Sequence, residues 1–347
     1  MYNETSMCLR ISFSLLILFV VFSLTRTQVL EGQLAVPNKL NYLVYIRTDL
    51  INEKSGMEVD RTGGGVIINM RWILTAAHNI DPYTEDSVVY TPYNVLVVAG
   101  TKIKNDEGDN AQRRQMKIKD VVVHEKYLPN KDRKYDAALI FLRERLKESD
   151  TVKQADRFLR PGEIVPVGTK CVVSGWGIFE YEHIPKIGEN PWDEELVLNE
   201  KYPVHARQGT VDVLVHSKCR APHESPHHLC YGCDSGRCPM TAKGDSGSPI
   251  TCALEDGENP MDGVVVAIHI FGCNDVRRKC SPNAPGTGLY INTLGDWIDH
   301  WKVKEEITLK DRLSFKMKKV KRFFGGFLAV GTTGAALYGG TRAYYNN

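Results

Sequence analysis

The stretch Gly244-Asp245-Ser246-Gly247-Ser248-Pro249 places one serine between two glycines. Because glycine has no Cβ and tolerates positive φ, the stretch predicts a tight turn that presents the Ser246 hydroxyl. The same turn can aim the amides of Gly244 and Ser246 at one point, as an oxyanion hole does. The turn indicates catalysis only if the chain also supplies a base and an acid that orients it.

The chain supplies both groups upstream of the turn. His78 closes the largely apolar run 72–77, and Asp136 opens the apolar run 137–142. A serine hydroxyl is a poor nucleophile at neutral pH, so it needs an imidazole to accept its proton and a buried carboxylate to hold the tautomer. We therefore assign His78, Asp136 and Ser246 as candidate catalytic residues. Their order along the chain is that of chymotrypsin and differs from the subtilisin and α/β-hydrolase orders.

On these motifs the sequence resembles the trypsin/chymotrypsin family of serine peptidases. The segment CVVSGWG at 171–177 is a further family signature, and the resemblance extends over about 29–302. It implies an all-β fold of two six-stranded antiparallel β-barrels, at about 29–155 and 156–302, with a closing C-terminal helix. It also implies an active site in the cleft between the barrels, with no metal and no organic cofactor.

Length, charge and the N-terminal segment limit the class of protein. With 347 residues, 25% charged residues and a net charge of +2, the chain is globular and lacks the basic excess of a nucleic-acid-binding protein. Arg10 precedes an apolar run of about 14 residues, 11–24, which is short for a membrane span and typical of a secretory signal. We expect residues 1–28 to be a removable signal peptide with a short pro-segment. An uncleaved anchor is the alternative.

The cysteines agree with export. Of the nine, Cys8 would leave with the signal, and the rest form an even set, which is typical of disulfides. The family resemblance implies the pairs Cys171–Cys252 and Cys219–Cys230. The remaining four allow three pairings, with zinc binding as the alternative to disulfides: Cys233, Cys238, Cys273 and Cys280.

The sequence departs from the family at two supports of the candidate triad. Relatives carry a disulfide across the histidine turn, where this chain has Thr62 and Asn79. Both partners of that disulfide are replaced together, so no orphan thiol remains. Ile270 stands where relatives have a serine that supports the triad aspartate.

The segment that begins at Val29 resembles the family's mature N-terminus. In that family the freed amine pairs with the buried aspartate before the nucleophile, here Asp245, so the chain is expected to be a zymogen. A buried carboxylate without a partner costs several kcal/mol, which gives the pairing a physical motive. No basic residue directly precedes Val29. The alternative is that Val29 is an ordinary strand residue and that activation differs.

The specificity pocket is assigned by resemblance alone. Its floor falls at Met240, where trypsin-like members carry an aspartate. A lysine or arginine side chain would be desolvated there without a partner, so we expect non-tryptic specificity. The substrate-binding walls fall at Thr241, Ile270, Phe271, Gly272 and Gly288, and the two glycines are expected to keep the entrance open.

Two segments lie outside this pattern. Residues 178–207 are rich in acidic side chains, which predicts either a solvated flap or an exosite for basic substrates. Residues 303–347 combine a basic amphipathic helix with a glycine-rich apolar tail. That combination predicts either a disordered or surface-bound tail or a membrane span.

The sequence therefore predicts a secreted, extracellular serine endopeptidase that hydrolyses peptide bonds through an acyl-enzyme. Its expected partners are protein or peptide substrates, with a macromolecular inhibitor as a further candidate. Contact with a membrane would come through the C-terminal tail. The alternative is a catalytically inactive peptidase homologue that acts as a binding or scaffold protein.

Overall fold

The structure is a computed structural model of the chain. It describes residues 32–36, 39–104, 108, 110–129, 133–178, 180–185, 196–219, 225–233, 239, 241–272 and 284–307. Within 180–185 and 196–201 the backbone alone is described. Several residues of the sequence analysis lie outside these ranges: Val29, Met240, Cys238, Cys273, Cys280, the signal segment 1–28 and the tail from 308 onward.

The first barrel follows a short strand, β1 (Gln33–Leu34), that pairs elsewhere. Its strands are β2 (Leu43–Asn52), β3 (Glu58–Asn69), β4 (Trp72–Thr75), β5 (Tyr83–Glu85), β6 (Val88–Ala99), β7 (Gln112–Lys117), β8 (Val121–Val123) and β9 (Ala138–Phe141). Their order is β5-β6-β2-β3-β4-β9-β8, with β7 paired to β6, and every pairing is antiparallel. A 3-10 turn, Ile118–Asp120, separates β7 from β8, so one bent strand joins β6 to β9 and closes the sheet.

The second barrel follows in the chain. The remaining strands are β10 (Lys170–Gly175), β11 (Glu180–Pro185), β12 (Leu196–Lys201), β13 (Arg207–Val213), β14 (His228–Gly232), β15 (Pro249–Cys252), β16 (Val264–Phe271) and β17 (Gly286–Tyr290). The barrel order is β13-β10-β15-β16-β17-β14, and β14 returns to β13 to close it. β1 pairs with the start of β13, at Arg207 and Gln208. Among the described strands, β11 and β12 of the acidic segment form a separate two-stranded sheet.

The expected fold of two antiparallel barrels with a C-terminal helix is confirmed. Six strands close each barrel when β7 and β8 count as one bent strand and β5 and β1 as additions. The helix α1 (Gly295–Lys302) buries Trp297, Ile298 and Trp301. Trp301 packs on Trp72 of β4, with ring centroids 6.3 Å apart, so the last helix closes on the first barrel.

A shared apolar cluster holds the two barrels together. Leu43, Tyr45 and Val98 from the first barrel pack with Val172 of β10 and with Trp176, which follows it. The Tyr45 and Trp176 rings meet edge to face, with centroids 5.5 Å apart. Each barrel also has its own buried interior of mainly β-branched side chains, which pack well on a pleated sheet.

Both disulfides implied by the resemblance are present. Cys171 pairs with Cys252 across β10 and β15, and Cys219 pairs with Cys230. Cys233 is also disulfide-bonded.

The chain divides into a compact unit that ends at Glu305 and a second unit, Glu306–Asn347, of which only the first two residues are described. Among the helices of the described ranges, none is long and apolar enough to cross a membrane. The predicted tail lies outside the described residues from 308 onward and stays a prediction.

Ile140→Ala should destabilise the first barrel strongly. Ile140 is fully buried in the barrel interior, so truncation leaves a cavity as well as removing apolar contact. We expect the free energy of unfolding, measured by denaturant titration, to fall by about 2–5 kcal/mol. Ile164→Ala is the matched control, because Ile164 is 82% exposed and its loss should cost less than about 0.5 kcal/mol. Equal effects of the two variants would contradict the assigned core.

Candidate active site

A 3-10 turn directly after β4 carries His78. The turn spans Ala77–Asn79. Arg61 of β3 supports it, because its guanidinium donates hydrogen bonds to the carbonyls of His78 and Asp81. The same guanidinium lies 4.3 Å from the centre of the Tyr83 ring. The backbone beside the imidazole is therefore held by an arginine that the sequence analysis did not assign.

Strand pairing explains why the histidine turn meets Asp136. β4 and β9 are antiparallel neighbours, with Thr75 opposite Ala138. His78 follows the end of β4 and Asp136 precedes the start of β9, so both residues come from the same end of the sheet. Apolar runs on the two strands thus bring a base and an acid together from positions 58 residues apart.

The three candidate catalytic residues form one chain of hydrogen bonds. Ser246 Oγ lies 2.7 Å from His78 Nε2. On the other side of the ring, Nδ1 lies 2.6 Å from Asp136 Oδ2. The backbone amide of His78 donates a further hydrogen bond of 2.9 Å to Asp136 Oδ1. In this arrangement Nε2 can accept the serine proton while the carboxylate holds the Nδ1–H tautomer.

The electrostatics favour a neutral imidazole beside an ionised carboxylate. Burial acts to raise the pKa of Asp136, but the charge and hydrogen bonds of His78, with Arg133 nearby, lower this pKa below its usual value. Burial lowers the pKa of His78, and Arg133 and Arg61 act in the same direction, whereas Asp136 opposes them. His78 is therefore able to accept a proton at neutral pH.

The nucleophile turn has the predicted backbone. Gly244 and Gly247 adopt φ angles of 101° and 83°, which side chains with a Cβ rarely adopt. The amides of Gly244 and Ser246 donate to no acceptor within the described part of the chain. Both amides are therefore open to an oxyanion. The Ser246 carbonyl, in contrast, accepts a 2.8 Å hydrogen bond from the amide of Gly64.

Asn79 links the histidine turn to the nucleophile turn. Its Nδ2 donates to the Ser246 carbonyl over 2.8 Å and to Thr75 Oγ1 over 3.1 Å. Asn79 stands where the family resemblance places a cysteine. Where relatives tie this position to that of Thr62 by a disulfide, Asn79 therefore bonds to Thr75 of β4 and to the nucleophile turn.

Asp245 is a second buried carboxylate with different partners. It accepts hydrogen bonds from the amides of Gly177, over 2.7 Å, and Ala242, over 2.9 Å. Burial raises the pKa of Asp245 to about 6, and these two amides only partly offset the burial. No cation pairs with this carboxylate among the residues that the structure describes.

The described pocket walls contact each other. A Cβ at Gly272 would overlap the backbone and the hydroxyl of Thr241. The two segments therefore pack together, whereas the sequence analysis expected Gly272 to keep the entrance open. Ile270 is fully buried and Phe271 is half-buried. Gly288 also differs from the expectation, because it lies in β17 against side chains of the second barrel's interior, next to Ile250.

A buried polar network lies behind Thr241, and no motif in the sequence predicted it. The Tyr231 hydroxyl lies 2.6 Å from Thr241 Oγ1 and 2.5 Å from His269 Nδ1. Burial lowers the pKa of His269 to about 3, so its imidazole is neutral and shares a hydrogen bond with the tyrosine hydroxyl. The His269 carbonyl in turn accepts a 2.7 Å hydrogen bond from the Gly247 amide. The network connects a pocket wall to the nucleophile turn.

An open cleft of about 800 Å³ borders Ser246 and His78. Both cationic and aromatic side chains line it, including Arg61, Tyr83, Lys104, Tyr127, Arg133 and Tyr202. Within the described ranges, no group of three or more His, Cys, Asp or Glu side chains could hold a metal ion. The cleft therefore exposes Ser246 and His78 and has room for a chain segment.

Comparison with known proteins agrees with this geometry. The Trypsin family model matches residues 51–298. Chymotrypsin-like elastase family member 3A of Homo sapiens is 27% identical over 307 residues, which cover 84% of this chain and 98% of that protein. Ovochymase of Halocynthia roretzi is 26% identical over 243 residues, or 69% of this chain, but this match spans only 14% of ovochymase. Neuropsin, a serine protease of mouse brain, has a similar fold, with a TM-score of 0.53, 23% identity and coverage of 78% of this chain and 98% of its own.

The chain therefore belongs to the trypsin family, whose members are serine endopeptidases. The family model covers most of both barrels, from within β2 to within α1. The similarity to neuropsin concerns the fold alone.

Asp245→Asn should change how stability depends on pH. The pKa of Asp245 is raised from 3.8 to about 6, so the folded chain binds this proton more tightly than the unfolded chain. Ionisation then costs stability as the pH rises through this range, by about 3 kcal/mol in total. In urea titrations of a chain that begins before Val29, the free energy of unfolding of the wild type relative to Asp245→Asn should fall by that amount from about pH 4 to about pH 7. Parallel pH curves would contradict the prediction.

Proposed function

We propose that this protein is a catalytically competent serine endopeptidase that uses His78, Asp136 and Ser246. The observation that carries the proposal is the continuous chain of hydrogen bonds, 2.7 Å and 2.6 Å long, through both nitrogens of the His78 ring. Membership of the trypsin family supports the proposal, because that family implies protein substrates.

In the proposed reaction, Ser246 Oγ attacks the carbonyl carbon of the scissile peptide bond while His78 Nε2 accepts the serine proton. Asp136 keeps the Nδ1–H tautomer and stabilises the imidazolium that forms. The imidazolium then donates its proton to the leaving amine, and an acyl-enzyme remains. A water molecule then gives a proton to the same imidazole as it attacks the ester carbonyl, and the imidazolium returns that proton to Ser246 Oγ as the acid product leaves.

Oxyanion stabilisation is assigned to the amides of Gly244 and Ser246. The positive φ of Gly244 and the absence of internal acceptors for both amides in the described chain support this assignment. Donors of this kind each contribute about 10²–10³ in kcat when they are aimed at the developing negative charge.

Activation is proposed to depend on a new N-terminal amine at Val29. Asp245 is buried, and in the described chain only amide donors reach it, so a buried ammonium group would remove the cost of its charge. The packed walls at Thr241 and Gly272 are consistent with a pocket that opens on activation. On this proposal, the chain before Val29 is removed in two stages, as signal and as pro-segment.

We propose the domain limits and the cellular location that the sequence predicts for this protein. Residues 1–28 direct export and residues 29–302 form the peptidase domain. The tail 303–347 is basic and then apolar, so it gives the secreted enzyme a means of membrane contact. The family relationship supports secretion, since trypsin-like relatives are mostly secreted. A macromolecular inhibitor that occupies the cleft is a further proposed partner.

Labelling with a fluorophosphonate probe tests catalysis directly. Protein that begins at Val29 should be labelled, because the probe reacts with an activated serine, and Ser246→Ala should abolish labelling and lower kcat by about a millionfold. Ser248→Ala is the matched control. Ser248 is buried nearby, and its hydroxyl has no hydrogen-bond partner in the described chain, so labelling should persist. A folded wild type that is not labelled would favour the alternative of an inactive, partner-binding homologue.

Cleavage of a peptide library tests the assignment of Met240 to the pocket floor. Without a carboxylate at the floor, we expect cuts after apolar residues in preference to lysine or arginine. Met240→Asp should raise kcat/KM for substrates with arginine before the scissile bond by about tenfold or more, since the cation gains a partner. Wild-type cleavage mainly after lysine or arginine would show that another residue forms the floor.

A further inference from the structure

Arg133 lies against the candidate catalytic pair and also reaches the second barrel. Its Nη1 donates a 2.7 Å hydrogen bond to the carbonyl of Ile270. The same nitrogen lies 3.7 Å from Asp136 Oδ2 and 3.4 Å from His78 Nδ1. Its guanidinium carbon is 5.8 Å from the centre of the Phe271 ring. One side chain of the first barrel therefore touches the acid, the base and a strand of the second barrel.

The burial of Asp136 gives this contact a physical reason. Both carboxylate oxygens are fully buried, and within the described chain His78 alone donates hydrogen bonds to them. The interactions with His78 lower the pKa of this carboxylate most, and the positive charge of Arg133 lowers it further, so the arginine adds to the stability of the ionised form. Among the arginines and lysines of the described chain, Arg133 lies within 4 Å of the Asp136 carboxylate.

The backbone of Arg133 points to the same requirement. Its φ is 52°, in the left-handed region that residues with a Cβ seldom adopt. A turn holds this conformation, because the amide of Asp136 donates a 3.2 Å hydrogen bond to the Arg133 carbonyl. Strained backbone of this kind persists where its surroundings impose it, and it is often found at functional sites.

We infer that Arg133 is a positioning residue of the proposed reaction, whose guanidinium holds the Asp136 carboxylate in register with His78 and ties it to the Ile270 carbonyl. The inference rests on the proposed function. Arg133 keeps the acid ionised and disfavours a second proton on the imidazole, so it maintains the neutral base that Ser246 requires. Because Nδ1 already donates to Asp136, the contact between Arg133 and this nitrogen is electrostatic.

The other charged and titratable side chains around His78 show why the test substitutes Arg133. The charged or titratable side chains that face the imidazole or its carboxylate in the described chain are Asp136, Arg133, Arg61, His269, Asp81 and Tyr127. His269 is neutral because burial lowers its pKa to about 3, and burial also keeps Tyr127 in its neutral form by raising its pKa. Arg61 lowers the pKa of His78, as Arg133 does. Its guanidinium donates hydrogen bonds to the backbone carbonyls of His78 and Asp81.

The test compares Arg133→Gln with Arg133→Lys in the full-length mature chain. Loss of the positive charge makes the protonated imidazole easier to form, so Arg133→Gln should raise the pKa of His78 by about one unit. The acid limb of the kcat/KM profile should move to higher pH by the same amount, with about a tenfold loss of activity on that limb. Arg133→Lys keeps the charge and should retain most of the wild-type profile. Arg143→Gln is the matched control, because Arg143 is an exposed arginine paired with Asp120.

Titration of His78 by NMR in a Ser246→Ala background separates this inference from the proposed function. The imidazole signals report the pKa without requiring turnover. A shift in Arg133→Gln that Arg133→Lys reverses would support the positioning role even if the wild type proved inactive, in which case the proposed function alone fails. An unchanged pKa of His78 in Arg133→Gln, with or without a lower melting temperature, would overturn the inference and leave Arg133 a purely structural tie.

Discussion

The burial of one charged carboxylate, that of Asp136, constrains the arrangement around it. An ion removed from water destabilises the fold by several kcal/mol unless partners surround it. Here the partners are two donors on His78 and the nearby guanidinium of Arg133. Because these groups belong to different segments, satisfying the charge brings the histidine turn to the start of β9 and fixes the orientation of the ring. The outer nitrogen of that ring then faces Ser246.

The serine itself depends on the junction of the barrels. Gly64 of β3 donates its amide to the Ser246 carbonyl, and Asn79 donates to the same oxygen. A Cβ at Gly64 would overlap the side chain of Ser248, so the close approach of strand and turn requires glycine there. The apolar contact of Tyr45 with Trp176 holds the two barrels against each other nearby. The cleft is thus built from packing that neither barrel has alone.

The two buried aspartates of the site differ in their partners. His78 and, to a lesser extent, Arg133 lie beside Asp136 and lower its pKa below the usual value. Asp245 has two amide donors in the described chain, and its pKa is raised to about 6. Amide dipoles offset burial only in part, whereas a full positive charge can exceed it. This difference is consistent with an activated form in which an amine reaches Asp245.

Local sequence was sufficient for much of this protein: the motifs around His78, Asp136 and Ser246 predicted the residues that meet, and the family resemblance that they carry predicted the two antiparallel barrels. The glycine spacing likewise predicted the positive φ at Gly244 and Gly247, because backbone sterics are a property of each residue. The tertiary structure alone revealed the contacts of Asn79, Arg133 and the Tyr231–His269 pair. Their contacts join residues 167, 137 and 38 positions apart, and no sequence period or motif specifies which polar groups meet across a folded interface. The packing of the folded chain decides these pairings, because a buried polar group can pair only with a group that the fold brings within hydrogen-bonding distance.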